Sequence, residues 1–430
     1  MGIITLILLI VLELFLLLWS IWRSDDHRQE RAMVRIGTLA LFGVLLASGV
    51  YVLSFRYLFL VSMLGLQALA GTVMLIGRKE LSYRTSKAIF RFIRNCIFLI
   101  LALAPAIVFP QYAQPTPTGS YPVATKKVTW IDTSRLDSYA QSGENRALTV
   151  EFWYPQTTHG TYPLVLFSHG AFGFSGSNYS TFVELASHGY VVASIGHTHH
   201  ALFTLDTEGK LTTVDPGFMA QASDINDQIG YDEEIFTITQ EWMKLRVGDE
   251  QYILDAILAE CEKHDAETPF SRINAEKIGL MGHSLGGASS AQIGRERSDI
   301  DAVIVLDGTM LGEEIAYENH TVVLNDKPYP VPLLNMYAQD HYTNAKNLGG
   351  DTYSNFHASL NGLVTYETVV RNAGHLNFTD LPLFSPLLAK KLGVGTIDPW
   401  YCIETMNATV LEFFNSFLKD RGLPDIAKEQ

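Results

Sequence analysis

One serine, Ser284, lies in a sequence context that can make its hydroxyl a nucleophile. It is the middle residue of the Gly-His-Ser-Leu-Gly segment at 282–286. Residues 277–281, which are Lys-Ile-Gly-Leu-Met, predict a short buried strand, and the small residues 286–291 predict the tightly packed start of a helix. A Gly-x-Ser-x-Gly segment between a strand and a helix is typical of the nucleophile elbow, a turn too tight for side chains two residues to either side of the serine. This turn would present the Ser284 hydroxyl at the carboxyl edge of a sheet, where it can attack an acyl carbon.

A serine nucleophile needs a histidine that takes its proton, and after an elbow of this kind that histidine follows the last strand. His375 meets this condition because residues 365–370 predict the last strand. Gly374 is expected to let the loop turn so that the imidazole reaches the serine. His341 and His357 come earlier and suit loop or lid positions better. His375 is therefore the predicted general base.

The histidine in turn needs a carboxylate that orients its ring and stabilises its charged form. Asp307 ends the predicted strand 302–306, and Asp340 follows the next predicted strand, 331–337. The residues alone leave both open as the acid, because an aspartate at the end of a strand can also cap a loop.

Two backbone N–H groups are expected to bind the oxyanion that forms during acyl transfer. One belongs to Leu285, directly after the nucleophile. The other is expected from the loop 168–173, which follows the predicted strand 163–167 and opens with a His-Gly pair. The position of that pair makes Ala171 the second predicted donor, and we call residues 168–173 the oxyanion loop.

These residues have to be positioned by a sheet, and the second part of the chain alternates between short apolar strands and helices. This alternation predicts an α/β fold with a mostly parallel sheet covered by helices on both faces. The predicted strands are 147–154, 163–167, 190–195, 277–281, 302–306, 331–337 and 365–370, and the predicted helices are 182–188, 232–262, 286–291 and 405–418.

The first part of the chain predicts a membrane domain. Its apolar runs are 2–22, 36–53, 57–76 and 96–109, and the first three are long enough to cross a bilayer. The fourth contains Pro105 and spans only if it extends over residues 92–112. The alternative, a buried bundle in a soluble protein, is less consistent with four such runs in 112 residues. We therefore expect an all-α bundle of about four transmembrane helices over residues 1–112.

Basic loops predict the orientation of this domain. The loops 23–35 and 78–94 carry four and six Lys and Arg residues, whereas the turn between the second and third runs has only Arg56. Positive loops stay in the cytoplasm, so the N-terminus and everything after the fourth helix are expected outside it. The whole chain carries −14, and residues 1–112 carry eleven basic and five acidic residues, which leaves −20 for the remainder. An outer domain this acidic repels phosphates, which argues against nucleic acid as a partner.

Several features have more than one interpretation. Glu13, near the middle of the first run, is expected to contact another span, a lipid headgroup or a proton, or to be protonated and hydrogen-bonded within the bundle. The first run lacks the marks of a cleaved signal peptide, so we expect a retained helix. Cys261 and Cys402 could pair outside the cytoplasm, and the sequence does not decide whether they do.

The boundary between the domains is a Pro- and Gly-punctuated stretch, which predicts a linker over residues 113–126 and a catalytic domain over residues 127–430. The histidines at 197, 199 and 200 follow the predicted strand 190–195. No carboxylate spacing completes a metal site there, so a polar pocket rim is the preferred interpretation. The insertions 202–229 and 311–329 are interpreted as a lid over an apolar pocket or as ordinary surface loops.

Six motifs occur in order along the second part of the chain: Phe-Trp-Tyr-Pro at 152–155, Phe-Ser-His-Gly at 167–170, Leu-Ala-Ser-His-Gly-Tyr at 185–190, Gly-His-Ser-Leu-Gly-Gly at 282–287, Leu-Asp-Gly at 306–308 and His-Leu-Asn-Phe at 375–378. On these motifs, residues 127 to 418 resemble the platelet-activating-factor acetylhydrolases and their bacterial relatives among the α/β-hydrolases. The dienelactone-hydrolase and polyester-hydrolase groups are also similar.

The resemblance implies an α/β-hydrolase fold, and it implies Asp307 rather than Asp340 as the acid, because in that family the acid follows the strand after the nucleophile. It likewise implies Ala171 and Leu285 as the oxyanion donors. The chain departs from the family in having alanine at 171, where the acetylhydrolases carry a larger residue, and in its membrane helices.

The sequence therefore predicts a membrane-anchored serine carboxylic ester hydrolase, acetylhydrolase- or lipase-like, in which Ser284, Asp307 and His375 carry out two-step acyl transfer. Lipid esters or small esters are the expected substrates, with 1-alkyl-2-acetylglycerophosphocholine among them, and membrane lipids are expected around the N-terminal helices. This chemistry requires no metal or organic cofactor. The alternatives are a polyester- or dienelactone-type hydrolase, a membrane-tethered binding or sensor module without turnover, and a small transporter with an accessory outer domain. The sequence predicts no oligomeric state.

Overall fold

The structure, a computed structural model, describes residues 1–77, 83–140, 143–227 and 232–430. Its chain divides into a helical unit, Met1–Ala113 with Leu383–Lys391, and an α/β unit, Gln114–Pro382 with Leu392–Gln430. Arg78 and Lys79, used above to predict the orientation, and Ile229, at the end of the first insertion, lie outside the described residues.

The helical unit contains the helices α1 Gly2–Arg23, α2 Arg28–Ala47, α3 Phe55–Ile76 and α4 Thr85–Val108. Of these, α1, α3 and α4 are long and apolar enough to cross a membrane. Helix α2 begins before the apolar run 36–53 and ends within it, so its first turns hold four charged residues, Arg28, Glu30, Arg31 and Arg35. The predicted helical bundle is confirmed, with three of its helices qualifying as spans.

Apolar side chains lie both inside and outside the helical unit. Tyr57, Leu60 and Leu103 are completely buried between the helices, whereas Leu8 and Phe59 are about two-thirds exposed, at 64% each. In water such an outer surface would be unfavourable, because exposed apolar area costs about 25 cal/mol per Å². Helices with this pattern are stable when lipid surrounds them, which indicates that the protein associates with a membrane.

Glu13 is buried within the helical unit and contacts two other helices. It pairs with Arg35 of α2 and accepts a 3.0 Å hydrogen bond from the Asn95 Nδ2 of α4. This agrees with a polar contact to another span. These two contacts tie α1 to α2 and α4.

The α/β unit contains a mixed sheet and two short hairpins. Its strands are β1 Val123–Leu136, β2 Asn145–Pro155, β3 Tyr162–Ser168, β4 Val191–Gly196, β5 Phe203–Leu205, β6 Leu211–Thr213, β7 Ile273–His283, β8 Ala302–Leu306, β9 Glu314–Glu318, β10 Thr321–Leu324, β11 Leu333–Ala338 and β12 Thr365–Val370. The sheet has the order β1-β2-β4-β3-β7-β8-β11-β12. Strand β2 is antiparallel to β1 and β4, and from β4 to β12 every pairing is parallel. The predicted mostly parallel sheet is confirmed.

Helices cover both faces of this sheet because its central strands are apolar on both sides. The helices of the α/β unit are α5 Tyr179–Ser187, α6 Pro216–Asp227, α7 Glu233–Cys261, α8 Leu285–Glu296, α9 Gln339–Leu348, α10 Ser354–Asn361 and α13 Pro399–Leu418. Helix α11 Leu381–Phe384 begins in the α/β unit, and α12 Pro386–Lys391 belongs to the helical unit. Helices α7 and α8 pack together on one face, and α5 and α13 pack together on the other. Every residue of β4, β8 and β11 is buried, which places the ends of these strands at a rigid edge.

Two features that the sequence left open are visible in the α/β unit. Strand β1 begins at Val123, inside the interval 113–126 that the sequence predicted as a linker, and pairs with β2 along most of its length. Cys261 and Cys402 are both free thiols, so the pairing that the sequence left undecided does not form.

Candidate active site

Ser284 lies in the sharp turn between β7 and α8, with a backbone φ of 54°. A positive φ is uncommon for a residue with a side chain and typically persists only where the surroundings enforce it. Here close backbone packing enforces it. A Cβ on Gly282 would lie 2.2 Å from the Gly286 backbone, and one on Gly286 would lie 2.0 Å from the Ser168 carbonyl oxygen. The turn therefore has the geometry of the predicted nucleophile elbow, with a half-buried serine at its apex.

Asp307 follows β8 directly, and its fully buried carboxylate accepts three hydrogen bonds. His375 Nδ1 donates to Oδ2 at 2.6 Å, while His341 Nδ1 at 3.0 Å and the Ala338 N–H at 2.6 Å donate to Oδ1. Burial by itself would raise the pKa of this carboxyl, but the hydrogen bonds from His341 and His375 hold its pKa well below its ordinary value. Asp307 is therefore an anion at neutral pH.

The Asp307 contact orients the His375 ring. With Nδ1 donating to Asp307, the tautomer that this contact favours has Nε2 as its acceptor nitrogen. The His375 side chain is 43% exposed, so its ring is open to a substrate.

The loop before His375 differs from expectation in one respect. Its turn is made by Asn372, with φ 57°, whereas Gly374 has φ −112° and is required because a Cβ there would lie 2.8 Å from the Gly395 nitrogen.

Two contacts bring the serine turn against the aspartate and histidine loops. A Cβ on Gly308, the residue after Asp307, would lie 2.3 Å from the Ser284 carbonyl oxygen. His283 Nε2 donates a 3.0 Å hydrogen bond to the His375 carbonyl oxygen, and the two rings lie 4.6 Å apart. Within the described residues no hydrogen bond joins the Ser284 hydroxyl to the His375 ring. Such bonds are often long without substrate and tighten when it binds.

The alternative acid, Asp340, lies apart from this group. It is exposed on the first turn of α9 and accepts a 2.8 Å hydrogen bond from the His341 N–H. The structure brings Asp307, and not Asp340, into contact with His375.

His341 is a residue whose contribution the sequence did not reveal, since it was expected in a loop or lid. Its ring donates to Asp307, and its Nε2 accepts a 2.9 Å hydrogen bond from the Tyr353 hydroxyl. Burial would lower the pKa of His341, but the hydrogen bond and the charge of Asp307 raise it above its ordinary value. The strand order is the signal that indicates this position of His341. Strand β11 lies beside β8, so a helix that begins after β11 starts next to Asp307.

The oxyanion loop follows β3 and lies directly against Ser284. A Cβ on Gly170 would lie 3.0 Å from the Ser284 Cβ. No backbone acceptor among the described residues takes the N–H of Ala171. Leu285 opens α8, so its N–H is one of those that a helix leaves without an internal partner. Leu285 follows the serine directly and Ala171 follows the contacting Gly170, and each of these predicted donors has an N–H available.

The three histidines after β4 have different partners, and they do not converge on one point. His197 donates from Nδ1 to Asp249 at 3.0 Å and accepts from the Ser168 hydroxyl at 2.8 Å. Burial lowers the pKa of His197 to about 3, so its ring is neutral. His200 stacks on Phe218 at 3.8 Å, and His199 lies 3.6 Å from an Asp137 oxygen. The chain Ser168–His197–Asp249 has the hydrogen-bond order of a catalytic triad, but all three side chains are fully buried, so it is part of the fold.

Three side chains lie close enough together to hold a metal ion, Asp307, His341 and His375, since their ligand atoms are within 4.8 Å of one another. This is the group of that kind found within the described residues. In this group both Nδ1–H groups donate to the carboxylate. The arrangement found is therefore a set of hydrogen bonds that fixes two rings on one acid.

Apolar rings line the region beyond the oxyanion loop. Phe174, just past this loop, stacks on Phe203 of β5 with ring centroids 5.2 Å apart, and Phe203 is 40% exposed. Phe218, in the same insertion, is instead a core residue packed on Trp242. The first insertion thus contributes one buried anchor and one exposed ring, and its function as a lid stays a prediction.

Comparisons with known proteins agree with this geometry. The family model for platelet-activating factor acetylhydrolase, isoform II, matches residues 141–422. Platelet-activating factor acetylhydrolase of Bos taurus is 28% identical over 166 residues, and that of Canis lupus familiaris is 29% identical over 167 residues. Each match covers 36% of this chain and 37% of the mammalian protein, so the chain spans little more than a third of the length of these relatives.

A solved structure supports the fold. The ferulic acid esterase from Streptomyces cinnamoneus superposes with a TM-score of 0.55 at 23% sequence identity, and the match covers 72% of this chain and 94% of that one. At this identity the likeness concerns the fold, which is that of an α/β-hydrolase. With a family model that matches most of its length, the chain belongs to the platelet-activating factor acetylhydrolase, isoform II, family of α/β-hydrolases.

Proposed function

We propose that this protein is a membrane-anchored serine carboxylic ester hydrolase that cleaves ester bonds of lipids or small esters, with Ser284, His375 and Asp307 as its catalytic residues. The observation that carries the proposal is the 2.6 Å hydrogen bond from His375 to a buried, ionised Asp307, on loops that contact the Ser284 turn. Acyl transfer requires the order serine, histidine, acid, and the contact of the Ser284 turn with the hydrogen-bonded His375 and Asp307 loops supports it.

In the proposed mechanism the Ser284 hydroxyl attacks the ester carbonyl carbon while His375 Nε2 takes its proton. Asp307 holds the ring in the required tautomer and stabilises the imidazolium. The N–H groups of Leu285 and Ala171 bind the oxyanion, and each such donor is worth about 3–4 kcal/mol of the barrier. His375 then protonates the departing alcohol and activates the water that releases the acid from the serine.

Three features support a lipid ester, including 1-alkyl-2-acetylglycerophosphocholine, as the substrate. The chain belongs to a family that is named after an acetylhydrolase. The exposed Phe203 ring lies against Phe174 beside the oxyanion loop, where it can contact an apolar chain. The helices α1, α3 and α4 are long and apolar enough to anchor the catalytic unit to a membrane, where such lipid substrates also lie.

We further propose that the α/β unit lies outside the cytoplasm. The basic residues of the loop 23–35 support a cytoplasmic position for that loop. With Arg78 to Arg94 on the same side, the N-terminus and the segment after α4 lie on the other. Labelling of single cysteines placed in the loop 23–35 and in the α/β unit by a membrane-impermeant reagent in intact cells tests this topology.

The proposed function is tested by hydrolysis of p-nitrophenyl acetate, butyrate and longer esters by the purified full chain, beside Ser284→Ala and labelling with a fluorophosphonate. We expect turnover and labelling in the natural chain and loss of both in Ser284→Ala, while the chain-length profile defines the acyl preference. A folded natural chain that neither turns over nor labels would overturn the proposal and favour a binding module.

A further inference from the structure

Arg246 of α7 is a fully buried arginine that lies under the oxyanion loop. Its Nη1 donates to the His169 carbonyl oxygen at 2.7 Å, and its Nη2 donates to the Gly170 carbonyl oxygen at 3.3 Å. Its Nε donates to His200 Nδ1 at 3.3 Å. The planar guanidinium thus reaches two successive carbonyls of one loop, a geometry that lysine cannot reproduce.

The charge of Arg246 is costly where it lies. No carboxylate of the described residues forms an ion pair with it. Burial lowers the pKa of Arg246 to about 9, so it is still a cation at neutral pH. Burial of the cation costs free energy, which the charges of Asp249 and Glu250 on the same helix reduce. A hydrophobic residue in its place would avoid this cost, but it would remove the three hydrogen bonds by which Arg246 holds the oxyanion loop and His200.

The Gly170 carbonyl is held more firmly than a loop carbonyl normally is. Besides Arg246, it accepts from the Gly173 N–H at 3.1 Å and from His169 Nδ1 at 2.7 Å. The peptide bond between Gly170 and Ala171 is trans, and in a trans peptide the C=O and the N–H point in opposite directions. Fixing the Gly170 oxygen toward α7 therefore fixes the Ala171 N–H away from α7.

We propose that Arg246 is the positioning residue of the oxyanion hole. It sets the direction of the Ala171 N–H through the Gly170 carbonyl, next to Ser284, without touching the substrate. The inference rests on the proposed esterase function and deepens it. Arg246 thereby affects catalysis from a buried position on α7, 75 residues along the chain from Ala171, whose N–H it orients.

The test measures kcat and KM for p-nitrophenyl acetate with the full chain and with Arg246→Met and Arg246→Lys. Misplacing a catalytic group by about 1 Å costs roughly 10²-fold in rate, so we expect a loss of about 10²-fold in kcat for Arg246→Met. Arg246→Lys retains the charge but reaches one carbonyl, and it should lose less. KM should stay unchanged in both, because the missing interaction forms only in the transition state.

The matched control is Arg295→Met. Arg295 is another poorly exposed arginine, and it donates two hydrogen bonds to Glu313 at 2.7 and 2.6 Å on the far side of α8. Its loss should lower the melting temperature and leave kcat intact. A second measurement is the affinity for an alkyl boronic acid, which forms a tetrahedral adduct with serine. We expect this affinity to fall in the Arg246 variants by the same factor as kcat/KM.

The outcomes separate this inference from the proposed function. If the natural chain shows no turnover, the proposed function fails. If it turns over and Arg246→Met or Arg246→Lys folds with unchanged kcat and boronate affinity, the positioning inference is overturned and the esterase stands. If neither variant folds while Arg295→Met does, Arg246 serves the fold and the inference is also rejected.

Discussion

Asp307 has two carboxylate oxygens and three donors, and two of these donors are imidazole rings. Each donor favours the ionised form, which is why the acid stays charged although it is fully buried. His341 occupies the oxygen that His375 does not use. The carboxylate is thereby locked in the plane that suits the His375 ring.

Replacing Asp307 with asparagine removes the charge while preserving shape. We expect Asp307→Asn to lower kcat by about 10⁴-fold, the loss seen when a triad acid becomes an amide that favours the wrong tautomer. Asp340→Asn is the matched control and should retain the natural kcat, because Asp340 is exposed and, within the described residues, its carboxylate accepts a hydrogen bond only from the His341 N–H. Steady-state hydrolysis of p-nitrophenyl acetate checks both. The reverse result, with Asp340→Asn inactive, would assign the acid to Asp340.

At the residue scale, the sequence predicted the positions of those residues that are defined by their near neighbours in the chain. Ser284 was recognisable because its glycines and flanking elements are within a few residues of it, and the His375 position followed from the last strand. Arg246 and His341 could not be predicted from local spacing, because their contacts are with carbonyl or carboxylate groups 77 and 34 residues away. Gly374 was predicted for the wrong reason, since a close approach rather than a turn requires it.

Helix α7 carries three buried ionisable side chains in five residues, Arg246, Asp249 and Glu250. Glu250 accepts hydrogen bonds from Ser289 and Ser290 of α8, which connects α7 to the helix that begins directly after Ser284. Burial raises the pKa of Glu250 to about 7, although these serine hydroxyls oppose the change.

Glu250 should make the protein less stable as the pH rises. Its pKa is about 7 in the folded chain against an ordinary 4.5, so the folded state binds more protons between these values. Stability is then lost as the pH rises from 4.5 to 7, by roughly 3 kcal/mol in total. Thermal unfolding in detergent at pH 5 and pH 8 should show a smaller pH effect in Glu250→Gln than in the natural chain. Glu241→Gln, on the exposed side of α7, is the control, and an equal pH effect in all three proteins would contradict the prediction.

At the element scale the parallel strands were the most predictable part of the fold. β8 and β12 were predicted to the residue, because apolar runs bounded by polar loops define them. Strand β1 was missed because its residues are mostly half-buried and show no clean alternation. Helix α2 begins earlier than its apolar run because Arg31 pairs with Asp26 and Arg35 with Glu13 inside the unit, contacts that hydropathy does not record.

For the molecule as a whole, every side chain of the proposed mechanism belongs to the α/β unit. A chain that begins at Gln114 should therefore retain the natural kcat/KM on p-nitrophenyl acetate. Its melting temperature should fall, because Ser385 loses the Val108 carbonyl to which its hydroxyl donates at 2.6 Å. Kinetics and thermal unfolding of the shortened chain, beside the same chain with Ser284→Ala, check this. A soluble but inactive product would show that the helices support the site.

The segment Leu383–Lys391 belongs to the helical unit although it comes after His375 in the chain. The described polypeptide consequently passes between its two units three times, after Ala113, after Pro382 and after Lys391. A domain joined to a membrane anchor by one segment is released by one proteolytic cut, whereas the α/β unit is joined to the helical unit at three points of the chain. Cleavage near Gln114 would leave the hydrolase unit attached through its own inserted segment, so a nicked enzyme would still sediment with the membrane.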